Sequence, residues 1–137
     1  MKPKILAIDD DPSSLELVMS ALKQEGVEIL GASDPHEGLA LFRKEQPEVV
    51  LLDLMMPKMN GIEVLNQISA GVGSGTEDRT VVIMLTAFGT VETAVEAMKA
   101  GAHDYLTKPI QVSELRLVVE RALERVGMRA EIRRLRR

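Results

Sequence analysis

Six polar residues of this chain stand where short apolar runs end, and their types suit metal or phosphoryl chemistry. They are Asp9, Asp10, Asp11, Asp53, Thr86 and Lys108. Carboxylates that meet at one point repel each other, so a folded chain needs a cation there or carboxyl groups with raised pKa values. A hard divalent ion with oxygen ligands answers this need, and we expect Mg²⁺, which keeps several of its waters. A zinc site is disfavoured because the chain has no cysteine and its two histidines lie elsewhere.

A carboxylate, a hydroxyl and an ammonium group beside a divalent cation match the needs of phosphoryl transfer. A carboxylate can attack phosphorus and form an acyl phosphate, while the cation neutralises the phosphoryl oxygens. Lys108 adds a positive charge for these oxygens, and the Thr86 hydroxyl adds one hydrogen bond. The residue types therefore indicate a phosphoryl site, provided that the fold brings them together.

Short apolar runs alternate five times with amphipathic stretches. The runs predicted as strands are Lys4–Ile8, Val27–Ala32, Glu48–Leu52, Thr80–Leu85 and Asp104–Leu106. The pairs Asp11-Pro12 and Asp34-Pro35 each place a capping side chain before a proline at the first helical position. Five strands, each followed by a helix, predict an α/β fold with a parallel sheet covered on both faces. Ligands of such sheets bind at the carboxyl ends of the strands, where the six polar residues fall.

Two stretches depart from this regular alternation. A short helix is predicted over Gly61–Ser69, and Ala70–Arg79, with three glycines, is predicted as a mobile surface loop. From Gln111 the last helix is predicted to continue towards the C-terminus.

The composition bounds the class of protein. With 45% hydrophobic residues, 28% charged residues and a net charge of −4, the chain is typical of one globular domain. No apolar run reaches the length of a membrane span and no signal peptide opens the chain, so we expect a cytoplasmic protein without membrane contact. The basic segment Arg129–Arg137 is short and helical in pattern, and we do not expect direct nucleic-acid binding by this chain.

Four segments of the sequence resemble the receiver domains of two-component response regulators. They are Ala7–Asp11, Leu51–Gly61, Leu85–Ala87 and Tyr105–Pro109. The resemblance extends over about residues 3–126. It implies a doubly wound, flavodoxin-like sheet of strand order 2-1-3-4-5. It also implies a switch that accepts a phosphoryl group from a sensor histidine kinase.

The resemblance implies a metal site and a phospho-acceptor. Asp53 matches the phospho-acceptor, and Asp9 and Asp10 match the acidic pair that binds Mg²⁺, with Asp10 as the direct ligand. The backbone carbonyl of Met55 completes the protein ligands. Asp11 is interpreted as a helix cap.

The resemblance also implies the moving parts of a switch. Thr86 matches the hydroxyl that moves towards the phosphoryl group, and Lys108 matches the lysine that binds it through its charge. The peptide between Lys108 and Pro109 is expected to be cis. Tyr105 matches the aromatic residue that turns inward when Thr86 moves, although it could also serve packing alone. The surface expected to change comprises the fourth helix, the fifth strand and the fifth helix.

Thr86–Ile110 is similar to the receivers of nitrogen-regulation-type, sigma-54-dependent transcription activators. Those proteins carry an AAA+ ATPase and a DNA-binding domain, whose motifs do not occur in these 137 residues. We therefore expect residues 1–126 to form the receiver and residues 127–137 to form a helical linker towards an effector domain. Apolar residues at close to 3-4 spacing predict that this helix forms a homodimer, unless it frays after about Val126.

Other functions remain open at this point. A metal-dependent phosphatase with an aspartate nucleophile needs a second acid two residues later, and Met55 stands there. A stand-alone receiver, or a pseudo-receiver that binds partners without phosphate, would share the same fold. Met55 and Phe88 are apolar where polar side chains could position water, which predicts a long-lived phospho-form. We expect Lys58 to be a solvated side chain.

Overall fold

The computed structural model describes residues 2–135 except 25, 57, 73–79 and 88–90, and it describes no side chains for 69–72 and 128–135. Strands and helices alternate along the chain. The elements are β1 Lys4–Ile8, α1 Pro12–Leu22, β2 Glu28–Ala32, α2 Pro35–Glu45, β3 Val49–Asp53, α3 Gly61–Val72, β4 Val81–Thr86, α4 Val91–Lys99, β5 Asp104–Thr107 and α5 Val112–Leu135.

The strands form one parallel sheet in the order β2-β1-β3-β4-β5. This order and the all-parallel pairing confirm the fold expected from the sequence. β1 lies between β2 and β3, so the chain changes its direction of travel across the sheet after β2. In open α/β sheets, such a reversal leaves a crevice at the carboxyl ends of the strands.

The sheet separates two aliphatic layers of the core. On one face, alternate residues of β1 and β3 pack with α2, α3 and α4, as in the cluster of Ile8, Leu52, Leu39 and Leu65. On the other face, the intervening residues pack with α1 and α5. Every residue of β3 is buried, as the apolar content of that strand predicted. Burying each large aliphatic side chain contributes about 1.5–3 kcal/mol, so the two layers hold the strand ends in place.

Aspartate caps start the first two helices. Asp11 accepts hydrogen bonds from the Ser13 backbone amide and the Ser14 hydroxyl, at 3.1 and 3.3 Å. Asp34 accepts from the amides of His36 and Glu37, at 2.7 and 3.3 Å. Both capping roles predicted from the Asp-Pro pairs are confirmed.

The predicted end of α3 is wrong by three residues. The helix continues through Val72, so residues 70–72 are its last turn and not the start of a loop. A glycine inside a helix costs only about 1 kcal/mol relative to alanine. The single glycine at position 71 is therefore not enough to end the helix. Residues 73–79 of the predicted mobile loop lie outside the described residues.

α5 is the longest helix and continues through Leu135. Its first half packs on the sheet through Leu115, Val119 and Ala122. Its backbone is helical where the sequence predicted a linker, while the division of the chain at residue 126 stays a prediction. Among the described helices, none combines the length and apolar character needed to cross a bilayer.

Candidate functional site

Three carboxylates meet at the carboxyl edge of the sheet. Asp9 and Asp10 follow β1, and Asp53 is the last residue of β3, one position after Leu52. Ile8 and Leu52 are register partners, so the strand pairing itself brings Asp9 beside Asp53. One carboxylate oxygen from each of the three residues lies within 4.8 Å of the others. Asp9 and Asp53 are only 1% and 3% exposed, whereas Asp10 is half-buried.

Lys108 reaches this carboxylate group from beyond the end of β5. Its backbone amide donates to the Thr86 carbonyl at 2.7 Å, which fixes the residue beside the end of β4. Its ammonium group donates to Oδ2 of Asp9 at 3.0 Å and lies 3.5 Å from Oδ2 of Asp53. The peptide between Lys108 and Pro109 is cis, as the resemblance implied.

Burial and charge repulsion perturb the titration of Asp53. Burial raises the pKa of Asp53 to about 7, the nearby Asp9 carboxylate adds to the rise, and Lys108 opposes it. Burial alone would lower the pKa of Lys108, but its contacts with Asp9 and Asp53 raise it. The Lys108 ammonium group is thus the positive charge that contacts this cluster of three carboxyl groups, among the described residues. All the side-chain donors are hard oxygens, so the cluster could hold a hard metal ion.

Backbone amides hold the buried carboxylates in position. The Asp11 amide donates to Oδ1 of Asp9 at 2.9 Å, and the Met55 amide donates to Oδ1 of Asp53 at 3.3 Å. The Asp9 amide donates to the carbonyl of Ala32 at the end of β2, at 3.1 Å. Asp9 and Asp53, the two buried acids at strand ends, are thus held by backbone groups close to them.

Gly61 closes the loop that follows Asp53. Its amide donates to the Leu54 carbonyl at 2.9 Å. A Cβ atom at this position would lie 2.6 Å from the Leu54 Cα and 2.7 Å from the Asp53 carbonyl oxygen. Only glycine therefore allows α3 to start so close to the acidic strand end.

Thr86 and Tyr105 lie on neighbouring strands at one side of the acidic cluster. Thr86 ends β4, is buried, and pairs in register with Thr107 of β5. Tyr105, two residues earlier on β5, is 37% exposed. The Met55 side chain is 55% exposed. The expectation for Phe88 lies outside the described residues.

Sequence reasoning missed one contact near the site. Lys58 is 68% exposed, as expected for a solvated side chain, but its ammonium group also donates to Oδ2 of Asp34 at 2.8 Å. The two residues belong to loops after β3 and β2, which are not neighbours in the sheet. No sequence pattern relates residues from two such loops.

The model of the response regulator receiver domain family matches residues 5–120, most of the chain. The chain belongs to this family. This receiver domain is 41% identical over 132 residues to the regulatory protein AtoC of Escherichia coli, with 96% of the chain and 28% of AtoC covered. It is 36% identical over 124 residues to the probable transcriptional regulatory protein TcrX of Mycobacterium tuberculosis, with 90% of the chain and 51% of TcrX covered.

Among solved structures, the receiver domain superposes on NtrX from Brucella abortus with a TM-score of 0.86. The two chains are 33% identical, and the match covers 98% of this chain and 30% of NtrX. The receiver family expected from the sequence is confirmed, and these relatives agree with a likeness to nitrogen-regulation-type receivers. The chain spans about a quarter to a half of the curated relatives it matches. It is a module of a signalling protein rather than a conventional enzyme.

Proposed function

We propose that Asp53 accepts a phosphoryl group from the phosphohistidine of a sensor histidine kinase, in a reaction that depends on Mg²⁺. The observation that carries this proposal is the position of Lys108, whose ammonium group lies 3.0 Å from Asp9 and 3.5 Å from Asp53. A cation beside a buried carboxylate would bind phosphoryl oxygens once they arrive there.

The transfer is a displacement at phosphorus. An oxygen of the Asp53 carboxylate attacks, the new carboxyl O–P bond forms, and the P–N bond to the imidazole of the kinase breaks. The electron pair of that bond stays on the imidazole nitrogen, which takes up a proton. Asp53 must be ionised to attack, and because its pKa is raised to about 7, any interaction that lowers this pKa increases the reactive fraction at neutral pH.

Asp9, Asp10 and Asp53 are the side chains that would hold Mg²⁺, with the backbone carbonyl of Met55 as a further ligand. The clustering of their oxygens within 4.8 Å supports this assignment. When bound, the ion supplies positive charge to the phosphoryl oxygens and favours the ionised form of Asp53. Lys108 then binds the phosphoryl oxygens, for which its charge and its place at the end of β5 are suited.

Phosphorylation would act as a switch through Thr86 and Tyr105. The Thr86 hydroxyl moves to a phosphoryl oxygen, and Tyr105 turns from its partly exposed position into the space this leaves. The inactive and active surfaces pre-exist, and the phosphoryl group favours the second through its additional contacts. The surface that changes comprises α4, β5 and α5.

The partners follow from this switch and from the length of the relatives. A sensor histidine kinase supplies the phosphoryl group. α5 would continue as the linker over residues 127–137, form a homodimer, and lead to an AAA+ ATPase and a DNA-binding domain. The continuation of α5 as helix through Leu135 supports the linker. Phosphorylation would thereby control transcription, and Met55 in place of a second acid argues against turnover of external substrates.

The test is intact-mass analysis after incubation with Mg²⁺ and acetyl phosphate, with the oligomeric state measured in parallel. We expect a gain of one phosphoryl group in the wild type and none in Asp53→Asn, whose circular dichroism spectrum should match the wild type. Labelling of Asp53→Asn at the wild-type level would contradict the acceptor assignment. Absence of labelling in the wild type, with kinase as well as acetyl phosphate, would indicate a pseudo-receiver.

A further inference from the structure

The ion pair between Lys58 and Asp34 joins two loops at the carboxyl edge of the sheet. Lys58 lies on the loop between β3 and α3, and Asp34 precedes α2. The ammonium group lies 2.8 Å from Oδ2 of Asp34. The side chain of Lys58 is mostly exposed and that of Asp34 is only partly so. The contact therefore has an exposed side chain at one end and a more enclosed one at the other.

The carboxylate of Asp34 is held in place because its second oxygen accepts hydrogen bonds from backbone amides. Oδ1 accepts from the His36 and Glu37 amides, which holds the carboxylate at the start of α2. The hydrogen bond from Lys58 and these amides lower the pKa of Asp34 to about 2, so this carboxylate is charged at neutral pH. The segment before it is also tied to the site, since the Ala32 carbonyl accepts from the Asp9 amide.

The loop that carries Lys58 also carries part of the site. Its base is closed by the bond from the Gly61 amide to the Leu54 carbonyl. Met55, the second residue of this loop, donates its amide to Oδ1 of Asp53 at 3.3 Å. Met56 of this loop is buried in the core and Met59 packs against it, whereas the contact of Lys58 with Asp34 is the ion pair that the described residues of the loop make with the rest of the domain.

We propose that Lys58 is a positioning residue, whose ion pair with Asp34 holds the β3–α3 loop so that the Met55 backbone stays in place beside Asp53. This inference rests on the proposed function, because the arrangement that Lys58 favours is the metal-binding and phospho-accepting one. Lys58 itself touches neither the carboxylate cluster nor the reacting atoms. Its removal therefore changes the affinity of the site and not the chemistry of the acceptor.

The direction of the effect separates positioning from simple electrostatics. Removing a positive charge near an acidic site should tighten Mg²⁺ binding if long-range charge alone acts. Loss of a positioning contact should weaken it. Exposed ion pairs contribute little, so the expected weakening is about threefold to fivefold in Kd.

The experiment measures Mg²⁺ affinity by isothermal titration calorimetry on the whole chain, beside thermal unfolding and acetyl phosphate labelling. The variants are Lys58→Met, Lys58→Arg, Asp34→Asn and the double variant Lys58→Met/Asp34→Asn. Asparagine keeps the helix cap while it removes the charge. The matched control is Lys4→Met, which removes an ion pair of 2.9 Å to Glu45 from the amino-terminal end of the sheet.

We expect Lys58→Met to raise the Kd for Mg²⁺ about threefold to fivefold, and Lys58→Arg to restore it, because arginine can bind the same carboxylate. The double variant should bind no more weakly than the weaker single variant. Lys4→Met should leave the Kd unchanged. In about 1 M NaCl the ratio of the Mg²⁺ Kd of Lys58→Met to that of the wild type should approach one, because salt screens exposed charges.

Tighter or unchanged Mg²⁺ binding by Lys58→Met would overturn the inference, even if its unfolding temperature fell. If the wild type binds Mg²⁺ and is labelled, and Lys58→Met has the same Kd for Mg²⁺, then the role of Lys58 is refuted while the proposed function stands. If the wild type neither binds Mg²⁺ nor takes label, the proposed function fails and the inference with it.

Discussion

Ile8 of β1 and Leu52 of β3 are register partners, and the residues that follow them are Asp9 and Asp53. Backbone hydrogen bonds and the two aliphatic layers therefore bring these carboxylates together, although their charges repel. The raised pKa of Asp53 is the consequence first of burial and then of this enforced proximity to Asp9. The sheet holds the site in an arrangement that its own charges oppose in the metal-free protein.

Asp53→Asn should stabilise the metal-free protein at alkaline pH. A carboxyl group whose pKa is raised from 3.8 to about 7 on folding destabilises the fold as the pH rises through that interval. Asparagine does not ionise, so we expect the variant to be more stable than wild type by about 1–2 kcal/mol at about pH 8, discounted for screening by nearby water. Below about pH 4 the gain should vanish, since both side chains are then neutral.

Urea unfolding in EDTA at several pH values measures this difference. A stability gain that does not depend on pH would contradict an ionised Asp53 as its source. Added Mg²⁺ should reduce the gain, because it stabilises the wild-type site and not the asparagine variant.

Lys108→Met should destabilise the metal-free protein, because it leaves the Asp9 and Asp53 carboxylates without their ammonium partner. We expect a loss of about 1–3 kcal/mol at about pH 8. The loss should be smaller at about pH 5, where Asp53 is already protonated. Chemical unfolding at the two pH values gives the comparison, and equal losses at both would contradict the charge-based explanation.

Gly61→Ala should destabilise the domain and weaken phosphorylation. The added Cβ would lie 2.6 Å from the Leu54 Cα, so the backbone after Asp53 must shift. We expect a loss of about 1–3 kcal/mol in unfolding free energy and a lower rate of labelling by acetyl phosphate.

Gly127→Ala is the matched control for that substitution. A Cβ atom at position 127 meets nothing within 4 Å, and the residue lies inside α5. Alanine there should stabilise the protein by up to about 1 kcal/mol and leave labelling unchanged. Similar losses in both variants would show that the effect at Gly61 is not due to the close approach.

Tyr105 should report the switch by its fluorescence. It is the only tyrosine, the chain has no tryptophan, and its side chain is 37% exposed. We expect phosphorylation to protect it from quenching by iodide, because the proposed switch turns the ring inward. The protection should be absent in Asp53→Asn, and in Thr86→Ala it should be lost although labelling persists. Full protection in phosphorylated Thr86→Ala would show that Tyr105 moves independently of Thr86 and would contradict the coupling between them.

The sequence predicted the edge of the sheet better than the paths of the loops. The acids at the ends of β1 and β3 could be placed together because parallel strands that neighbour each other end at one edge. The end of α3 could not be placed, since one glycine changes the helix free energy too little to mark the terminus at Ser69 or Val72. The order of the strands came only from the resemblance, because strand content does not specify neighbours.

The contact between Lys58 and Asp34 shows a second limit of sequence reasoning. Each residue alone had an ordinary interpretation, a solvated lysine and a helix cap. Their meeting depends on how far two loops extend over the sheet edge, which no periodicity describes. From the sequence, converging carboxylates could be expected either to bind a cation or to have raised pKa values. The sequence could not show that Asp53 is the carboxyl group whose pKa is raised.

The bond between Lys108 and Asp9 joins residues 99 positions apart, which has a consequence during synthesis. β1 leaves the ribosome first, but its acids acquire their ammonium partner only after β5 has emerged and joined the edge of the sheet. A nascent chain that lacks β5 therefore has acids but no completed acceptor site. On the proposed function, phosphorylation of Asp53 would then require that all five strands have assembled, so incompletely folded chains would not take part in signalling.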